Sequence, residues 1–484
     1  MAFISLSRIL QYWSDRQPDR VAITHDDDAL TWRQLDQASN AMARAYASLG
    51  VEQDNLVTIA LPNSLAFFVS VFAVWKLGAT PQPVSAKMPV AEIRAIIGLA
   101  ESALVVGVHE ADYPGFKSVP MDYVPAPGTD DSPLTEKSAR YFKAMTSGGS
   151  TGRPKLIVSH IPAYWDPDME YLNFPVAGSM LVPGPLYHNG VFMWAMIGLF
   201  KGNQVAIQTR FDAENTLALI ERHRVEVMYS VPTMLQRIWN LPEATRNRYD
   251  LSSLKVLWHL AAPCPPWLKR AYIEWLGPER IWELYAGTEG TGATVINGAE
   301  WLAHPGSVGR AVAGSEIVVL DDAGTVLPVG EVGEVYIRPE GGQGSTYHYV
   351  GAEAKGTSDG FESLGDMGYV DAEGFLYLTD RRTDMILSGG ANIYPAEVEA
   401  AIDAYPGVRS SAVIGLPHED MGNAVHAIID RPEGPVAAEV LDAFLREHLV
   451  SYKLPRSIEF VDEPLRDDAG KVRRTALRAA RLTH

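Results

Sequence analysis

Residues 56–77 read LVTIALPNSLAFFVSVFAVWKL and contain a complete strand-to-helix unit. Residues 56–61 form a continuous apolar run that predicts a buried strand, and Pro62-Asn63 ends it. Residues 67–77 are apolar on every face, which predicts a buried helix, and Gly78 turns the chain into another strand. This order of elements is typical of a parallel sheet that helices cover.

The same alternation extends along the chain in both directions. Upstream, Thr31 and Gln34 have the spacing of a capping box that opens a helix, and Gly50 marks the end of that helix. Further strands are predicted downstream, around Val182 and at residues 205–208, 225–229 and 256–260. The sequence therefore predicts parallel sheets buried on both faces.

The pattern changes near Glu316. Residues 316–320 and 334–338 predict consecutive antiparallel strands, which suggests a small barrel. Beyond a boundary near residues 380–384, the chain has the pattern of a separate α+β domain. Its predicted elements are strands at residues 412–414, 425–429 and 458–461 and a helix at about 437–449.

Composition excludes several classes of protein. The 484 residues carry 59 Asp and Glu against 41 Lys and Arg, a net charge of −18 that argues against nucleic acid as a partner. Cys264 is the single cysteine, so an intrachain disulfide and a multi-thiolate zinc site are excluded. The apolar stretches are shorter than the ~20 residues of a membrane span, and the first residues lack a signal-peptide pattern. We therefore expect a soluble cytoplasmic protein.

The segment TSGGSTGRPK at residues 146–155 has the composition of a phosphate-binding loop. Its glycines allow close approach of a ligand to backbone N–H groups, and its hydroxyls and lysine add donors and positive charge. It is not a Walker A loop, because Pro154 precedes Lys155 and disfavours a helix start there. The candidate phosphate ligands are Thr146, Ser147, Gly148, Gly149, Ser150, Thr151, Gly152 and Lys155.

Three shorter segments carry further candidates: ELYAGTEG at residues 283–290, GDMG at 365–368 and DAGKVRR at 468–474. Tyr285 could stack on a base, and Thr288 and Glu289 could meet a phosphate oxygen and its magnesium ion. Asp366 could accept hydrogen bonds from two ribose hydroxyls. From the residues alone, a solvated turn is the better interpretation of residues 283–290 and 468–474, and it is as good as ribose binding for residues 365–368.

Together and in this order, these segments resemble the adenylate-forming superfamily of acyl- and aryl-CoA synthetases, standalone adenylation domains and firefly luciferase. The resemblance extends from Asp19 to Lys471 and includes Thr31-Trp32-x-x-Leu35, LPNS at residues 61–64 and SGGANIYPAEVE at residues 388–399. It implies an α/β fold with a large N-terminal domain at residues 1–380, made of two layered α/β subdomains and a small β-barrel. A hinge at 381–384 and a small mobile α+β C-terminal domain at 385–484 would follow.

The resemblance also implies a role for each candidate in binding ATP and magnesium. The 146–155 loop would hold the ATP phosphates, and Glu289 would hold magnesium. Catalysis would involve Thr288 at the α-phosphate, His188 beside the acyl site, and Lys471, which would reach the carboxylate and the α-phosphate. The adenine pocket would be lined by Ala261, Ala262, Pro263 and Tyr285, and the ribose would be bound by Asp366 and Arg381. Gly287 would also belong to the ATP-binding residues.

Members of this family run two half-reactions at one site, and the small domain rotates between them. In the second, Gly389 and Gly390 would line the tunnel for the pantetheine arm of coenzyme A. Thr383 occupies the hinge position, where Asp or Lys is usual in the family. The phosphate loop carries Gly149-Ser150 where many members have Gly-Thr-Thr-Gly. Neither departure removes a donor group, so the resemblance implies an active enzyme.

The acyl pocket is expected near His188, Asn189, Phe192, Ser230 and Gly287, although the apolar residues there could equally be ordinary core. The stretch after Asn189 has no acidic residue before Asp212, which argues against an amino-acid substrate because a buried ammonium would lack a partner. Residues 186–190 and 300–309 resemble bile-acid and related bulky-acid CoA ligases. An uncharged, apolar acid is therefore expected, whether alicyclic, aryl, fatty or steroid-like.

The leading hypothesis is an acid–CoA ligase that acts through an acyl-AMP. Two alternatives are an enzyme that loads an acyl group onto a carrier-protein phosphopantetheine, and an inactive nucleotide-binding regulator. Because Lys155, Glu289 and Lys471 are all present, the sequence argues against the regulator. A monomer and a homodimer are both compatible with the sequence.

Overall fold

A computed structural model describes residues 3–148, 154–381, 384–388, 391–419, 421–467 and 470–482. The capping box at Thr31 is confirmed: Thr31 Oγ1 accepts from the Gln34 amide at 3.2 Å, and Gln34 Oε1 accepts from the Thr31 amide at 2.9 Å. The first elements are β1 Ile4–Ser5, α1 Leu6–Arg16, β2 Val21–His25, β3 Asp28–Thr31, α2 Trp32–Ser48, β4 Leu56–Ile59, α3 Leu65–Lys76, β5 Thr80–Pro83, α4 Val90–Ala100, β6 Leu104–Val106 and β7 Ser118–Val119.

The middle of the chain forms the hydrophobic centre of the molecule. Trp75 stacks on Phe142 at 5.5 Å between ring centroids, and Phe192 and Phe200 pack against both. The elements here are β8 Ala144–Gly148, β9 Pro154–Ser159, β10 Tyr164–Trp165, β11 Ser179–Val182, α5 Asn189–Phe200, β12 Gln204–Ile207, α6 Ala213–His223, β13 Val227–Ser230, α7 Pro232–Trp239, α8 Glu243–Arg246, β14 Val256–Leu260, α9 Pro266–Leu276, β15 Ile281–Ala286, β16 Ala293–Asn297 and α10 Gly298–Ala303.

Antiparallel strands follow, as the sequence predicts. They are β17 Ser307–Ala311, β18 Ser315–Leu320, β19 Gly333–Pro339, β20 Tyr347–Val350, β21 Lys355–Gly356, β22 Glu362–Val370 and β23 Leu376–Arg381. The strands predicted for a small barrel are joined to the large sheet, because β23 pairs with β17 and β17 with β16. Across the described residues the sheet has the order β18-β19-β22-β23-β17-β16-β15-β14-β13-β11-β12-β2-β3.

The parallel part of this sheet places the site. Strands β2, β12, β11, β13, β14 and β15 run parallel, so their carboxyl ends meet at one edge. The loops after β13, β14 and β15 carry Val231, Ala261 and Gly287 to that edge. Ligands in open α/β folds bind at such an edge.

The C-terminal region builds a separate sheet. Its elements are β24 Ile386–Ser388, β25 Ala391–Ile393, α11 Pro395–Asp403, β26 Ser410–His418, β27 Gly422–Asp430, α12 Ala438–Arg446, β28 Ser457–Val461 and α13 Arg474–Leu482. Single 3₁₀ turns lie at Glu110–Asp112, Pro278–Arg280 and Ser451–Lys453. Ile393, Val398, Val413 and Leu441 belong to a core of its own. Among the described helices, none is both long enough and apolar enough to cross a bilayer.

Candidate active site

The predicted phosphate loop connects the two strands of a hairpin. Strands β8 and β9 are antiparallel, and Ser147 lies opposite Lys155. Pro154 begins β9, so a strand stands where a Walker A loop would start a helix. At the base of the hairpin Gln82 Nε2 donates to Thr146 Oγ1 at 3.2 Å. Gly149, Ser150, Thr151 and Gly152 lie outside the described residues, and Ser147 and Gly148 are described by their backbone alone.

Lys155 and Glu289, predicted for phosphate and magnesium, come together. Lys155 Nζ lies 3.8 Å from Glu289 Oε1, and Tyr349 donates its hydroxyl to the same oxygen at 2.5 Å. The ammonium of Lys155 also lies 3.8 Å from the centroid of the Tyr349 ring. Tyr349 was missed by the sequence analysis, because strand β20 reaches this place only through pairing with β9.

The groups predicted for the nucleoside are also neighbours. Tyr285 at the end of β15 donates its hydroxyl to Asp366 Oδ2 at 2.6 Å. Asp366 lies opposite Arg381 in the β22–β23 ladder, where the Arg381 side chain is outside the described residues. Ala261 follows β14 with φ of 72°, a left-handed conformation that costs an L-residue ~1 kcal/mol. Ala262 and Pro263 continue this loop.

Gly287 has little space for a side chain unless Leu364 moves. A Cβ on this residue would lie 2.3 Å from Leu364 Cδ1 and 3.0 Å from Glu289 Oε2. Thr288 follows in the same loop and is half-buried, and Glu289 is buried. The residues predicted for the α-phosphate and for magnesium, Thr288 and Glu289, are thus neighbours in the loop after β15.

His188 lies where the N-terminal region meets the C-terminal hairpin. Burial and the nearby charge of Lys471 lower the pKa of His188 to about 4, while Asp467 opposes the shift. The imidazole is therefore neutral at physiological pH. His188 is the N-cap of α5, and its Nε2 has no hydrogen-bond partner among the residues that the structure describes.

The hairpin that carries Lys471 is docked against the N-terminal region. Asp467 Oδ1 accepts from the Lys471 amide at 2.9 Å, which closes the turn. A Cβ on Gly470 would lie 3.1 Å from Thr233 Oγ1 and 3.7 Å from Val231 Cγ2. The charge of Lys471 lies close enough to His188 to contribute to the lowering of the His188 pKa.

The residues predicted for the acyl pocket have different environments. Phe192 is fully buried, and its ring packs against Phe67, Trp75 and Phe142 in the central core. Ser230 is also fully buried, and its hydroxyl donates to the Trp258 carbonyl at 2.7 Å. Both residues therefore contribute to the packing of the fold. For Phe192 this is the ordinary-core interpretation that the sequence left open.

Asn189 is a more direct candidate for the pocket, and it reveals a lysine that the sequence analysis missed. Lys143 Nζ donates to Asn189 Oδ1 from the strand segment just before β8. Lys143 interrupts the run Tyr141-Phe142-Lys143-Ala144-Met145, and a lone cation in such a run was the available signal. The predicted tunnel residues Gly389 and Gly390 and the predicted hinge residue Thr383 lie outside the described residues.

Comparison with known proteins agrees with this geometry. Residues 10–348 match the AMP-binding enzyme family, and residues 397–471 match the AMP-binding enzyme C-terminal domain. A feruloyl-CoA synthase from an Amycolatopsis species is 31% identical over 470 residues, which cover 94% of each chain. The chain belongs to the AMP-binding, adenylate-forming enzyme family. The resemblance seen in the sequence is thereby confirmed.

This AMP-binding enzyme is also similar to other ligases of the family. A 2-succinylbenzoate–CoA ligase from Bacillus licheniformis is 29% identical over 97% of this chain and 98% of that one. The o-succinylbenzoate CoA synthetase of Bacillus subtilis, solved with its acyl-adenylate intermediate, superposes with a TM-score of 0.85 at 24% identity and 99% coverage of both chains. The predicted α/β fold with a small C-terminal domain is confirmed, as is the class of AMP-forming acid–thiol ligase.

Proposed function

We propose that this enzyme joins a bulky, largely apolar carboxylic acid to coenzyme A through an acyl-adenylate. A carboxylate oxygen attacks the α-phosphorus of ATP, and the bond from that phosphorus to the bridging oxygen breaks to release pyrophosphate. The thiol of coenzyme A then attacks the acyl carbon, and AMP leaves. The observation that carries the proposal is the convergence of the Tyr285–Asp366 pair, the Lys155–Glu289 pair and the Lys471 hairpin on one edge of the sheet.

In this proposal, each group binds one part of ATP. Tyr285 and the loop at Ala261 face the adenine, Asp366 accepts from the ribose hydroxyls, and Lys155 neutralises phosphate charge. Removing water from such a site strengthens each of these interactions. The assignment of residues 149–152 to the phosphates rests on their place in the sequence between β8 and Lys155.

Glu289 suits magnesium bound together with ATP. The described residues contain no group of three or more His, Cys, Asp or Glu side chains that could hold a metal ion. A single carboxylate is the donor set expected when Mg²⁺ keeps waters and takes its other oxygens from phosphates. Magnesium would neutralise charge on the departing pyrophosphate, and Tyr349 fixes the orientation of the Glu289 carboxylate.

Lys471 and His188 would act on the reacting carboxylate. The Lys471 ammonium stabilises negative charge as the carboxylate approaches the α-phosphate. Electrostatic stabilisation of this kind is usually the largest single contribution to lowering the barrier of an enzymatic reaction. Because His188 is neutral, it does not form an ion pair with the substrate carboxylate. The carboxylate therefore stays available to attack the phosphorus. Rotation about residues 381–384 would then remove Lys471 and bring Gly389 and Gly390 to the thiol tunnel.

The apolar part of the substrate is proposed from the surroundings of α5. Val191, Trp194 and Met196 are buried along this helix. Asp212, the first acidic residue after Asn189, caps α6 by accepting from the Asn215 amide at 2.8 Å, so it is committed elsewhere. An ammonium group next to α5 would lose water without gaining this carboxylate. Since ATP and coenzyme A are intracellular, we expect the reaction in the cytoplasm.

The test is mass spectrometry of the products formed from ATP, coenzyme A and a pool of acids. The pool contains aryl, alicyclic, fatty and steroid acids, acetate, and amino acids paired with their deaminated analogues. The proposal expects AMP and the CoA thioester of a bulky non-amino acid. A thioester of acetate or of a free amino acid as the main product would refute the pocket assignment. Acyl-AMP that reacts with a holo-carrier protein and not with coenzyme A would refute the acceptor.

A further inference from the structure

Lys143 is a buried cation whose charge has no carboxylate beside it. Its exposed fraction is 3%, and its Nζ donates to Asn189 Oδ1. An ammonium has three donor hydrogens, so this contact leaves two of them for another acceptor. Within the described residues, no Asp or Glu oxygen lies within 4 Å of this nitrogen. Burial of an ammonium without an adjacent carboxylate is costly.

Other buried lysines of the chain are neutralised by their surroundings. Lys76 lies 2.6 Å from Asp36, and Lys269 forms an ion pair with Glu283. Lys201 donates to a backbone carbonyl and is surrounded by acidic residues at 166, 168 and 170. For Lys143, burial lowers the pKa to about 7, and the more distant Glu289 offsets this only in part. A hydrogen bond from Lys143 to an oxygen atom of a bound ligand would therefore stabilise the charged form of the lysine.

Further hydrogen-bond donors lie near the Lys143–Asn189 contact, at the start of α5. Asn189 is the first residue of α5, where backbone N–H groups lack partners within the helix, and His188 provides no side-chain cap. Gly190 follows, and a Cβ there would lie 3.0 Å from the Tyr229 hydroxyl. Tyr229 is 1% exposed, and no hydrogen bond joins its hydroxyl to any described residue.

We propose that Lys143, Asn189 and Tyr229 form an oxygen-binding subsite in the acyl pocket, and that the substrate acid carries a second carbonyl or carboxylate on its apolar skeleton. This inference rests on the proposed function and specifies its substrate class. The two unused donors of Lys143, the Tyr229 hydroxyl and the positive end of α5 all favour an oxygen acceptor. The subsite lies beside His188, so the second oxygen group binds next to the reacting carboxylate.

The experiment measures kcat/KM for acid-dependent ATP–pyrophosphate exchange with matched acids. Octanoate is compared with its mono-oxo isomers and with octanedioate, and 4-phenylbutanoate is compared with 4-oxo-4-phenylbutanoate. The kcat/KM of the wild-type enzyme is expected to be about tenfold to a hundredfold higher for an oxygenated acid than for the plain acid of the same set. This ratio corresponds to the free energy of one hydrogen bond to a charged group. Lys143→Met should remove this preference and leave the plain acid within about threefold of wild type.

Two further variants keep the test decisive. Tyr229→Phe removes only a hydroxyl, and the preference should fall by a few fold. Lys201→Met removes a buried amine at a distant place and should keep the full preference. ATP binding measured by calorimetry shows that each variant is folded.

The alternatives give different results. An equal loss for plain and oxygenated acids in Lys143→Met would place Lys143 at the reacting carboxylate or the phosphates and overturn the subsite. Absence of any preference in the wild-type enzyme would also overturn it. Absence of exchange with every acid would instead refute the proposed function itself.

Discussion

The nucleotide side of the site and the Lys471 side are held in different ways. On the nucleotide side, hydrogen bonds of 2.6 Å between Tyr285 and Asp366 and of 2.5 Å between Tyr349 and Glu289 join strands of the N-terminal region. Lys471 is exposed, and its hairpin meets that region where Gly470 approaches Thr233. The proposed ATP-binding groups thus come from the large sheet, the β8–β9–β20 sheet and the loop after β15, all in the N-terminal region, while the proposed reacting cation comes from the C-terminal region. In the proposed mechanism, this division lets the C-terminal region change position while the ATP-binding groups stay in place.

The largest effect should follow removal of the reacting cation. Lys471→Ala is expected to reduce acid-dependent ATP–pyrophosphate exchange by about 100-fold or more, because a preorganised charge is lost from the transition state. Transfer from a supplied acyl-adenylate to coenzyme A should be largely retained. Lys453→Ala is the control, since Lys453 in the same region pairs with Glu397 at 2.6 Å. Equal damage to both half-reactions would contradict the division.

The predicted hinge offers a second way to separate the two proposed half-reactions. Thr383→Pro fixes φ and removes an N–H, so it should impair rotation of the small domain. We expect substantial exchange to remain and thioester formation to fall by about tenfold or more. The reason is that a proline in a backbone conformation that does not suit it costs about 3 kcal/mol. Thr383→Asp, the residue more usual in the family, should keep near-normal turnover. Unchanged thioester formation in Thr383→Pro would place the hinge elsewhere.

The docking contact of the hairpin predicts a smaller effect. Gly470 has φ of 77° and little space toward Thr233, so Gly470→Ala should strain the turn and displace Lys471. Exchange should fall by about tenfold, in line with a strained left-handed residue, while the KM for ATP stays unchanged. Gly434→Ala is the matched control, because Gly434 has φ of 87° and open space around its Cβ position. Equal losses in the two variants would show that the Thr233 contact is unimportant.

The smallest effect concerns pH and His188. The pKa of His188 is lowered to about 4 in the folded protein, so between that value and the ordinary His pKa the unfolded chain binds more protons. Its contribution to stability is therefore complete above about pH 6.5 and is lost as pH falls toward 4. The decrease in Tm from pH 7 to pH 5 should be smaller in His188→Gln than in wild type. An identical decrease would mean that His188 titrates normally.

Local patterns predicted much of the fold. The capping box at Thr31 depends on residues three apart, and the strand at residues 256–260 was predicted with the bounds that the structure shows. Phe192 was harder, because α5 is apolar on all faces and periodicity cannot tell which face lines a pocket. It lies in the core.

The missed site residues depend on contacts between distant segments. Tyr349 reaches Glu289 across 60 residues, and Lys143 reaches Asn189 across 46. The phosphate, magnesium and ribose candidates were predicted from segments whose order along the chain resembles a known family, and their roles stay predictions. Whether a lysine in an apolar run is buried without a carboxylate depends on the packing of the whole domain.

The measurement that tests the central claim most directly is ATP–pyrophosphate exchange with a preferred acid in the absence of coenzyme A. The first half-reaction is proposed to need only the groups around ATP and Lys471, so exchange should occur without the thiol. The acyl-AMP should be detectable by mass spectrometry after rapid quenching. Exchange that requires coenzyme A, or formation of ADP and phosphate in place of AMP and pyrophosphate, would contradict the account.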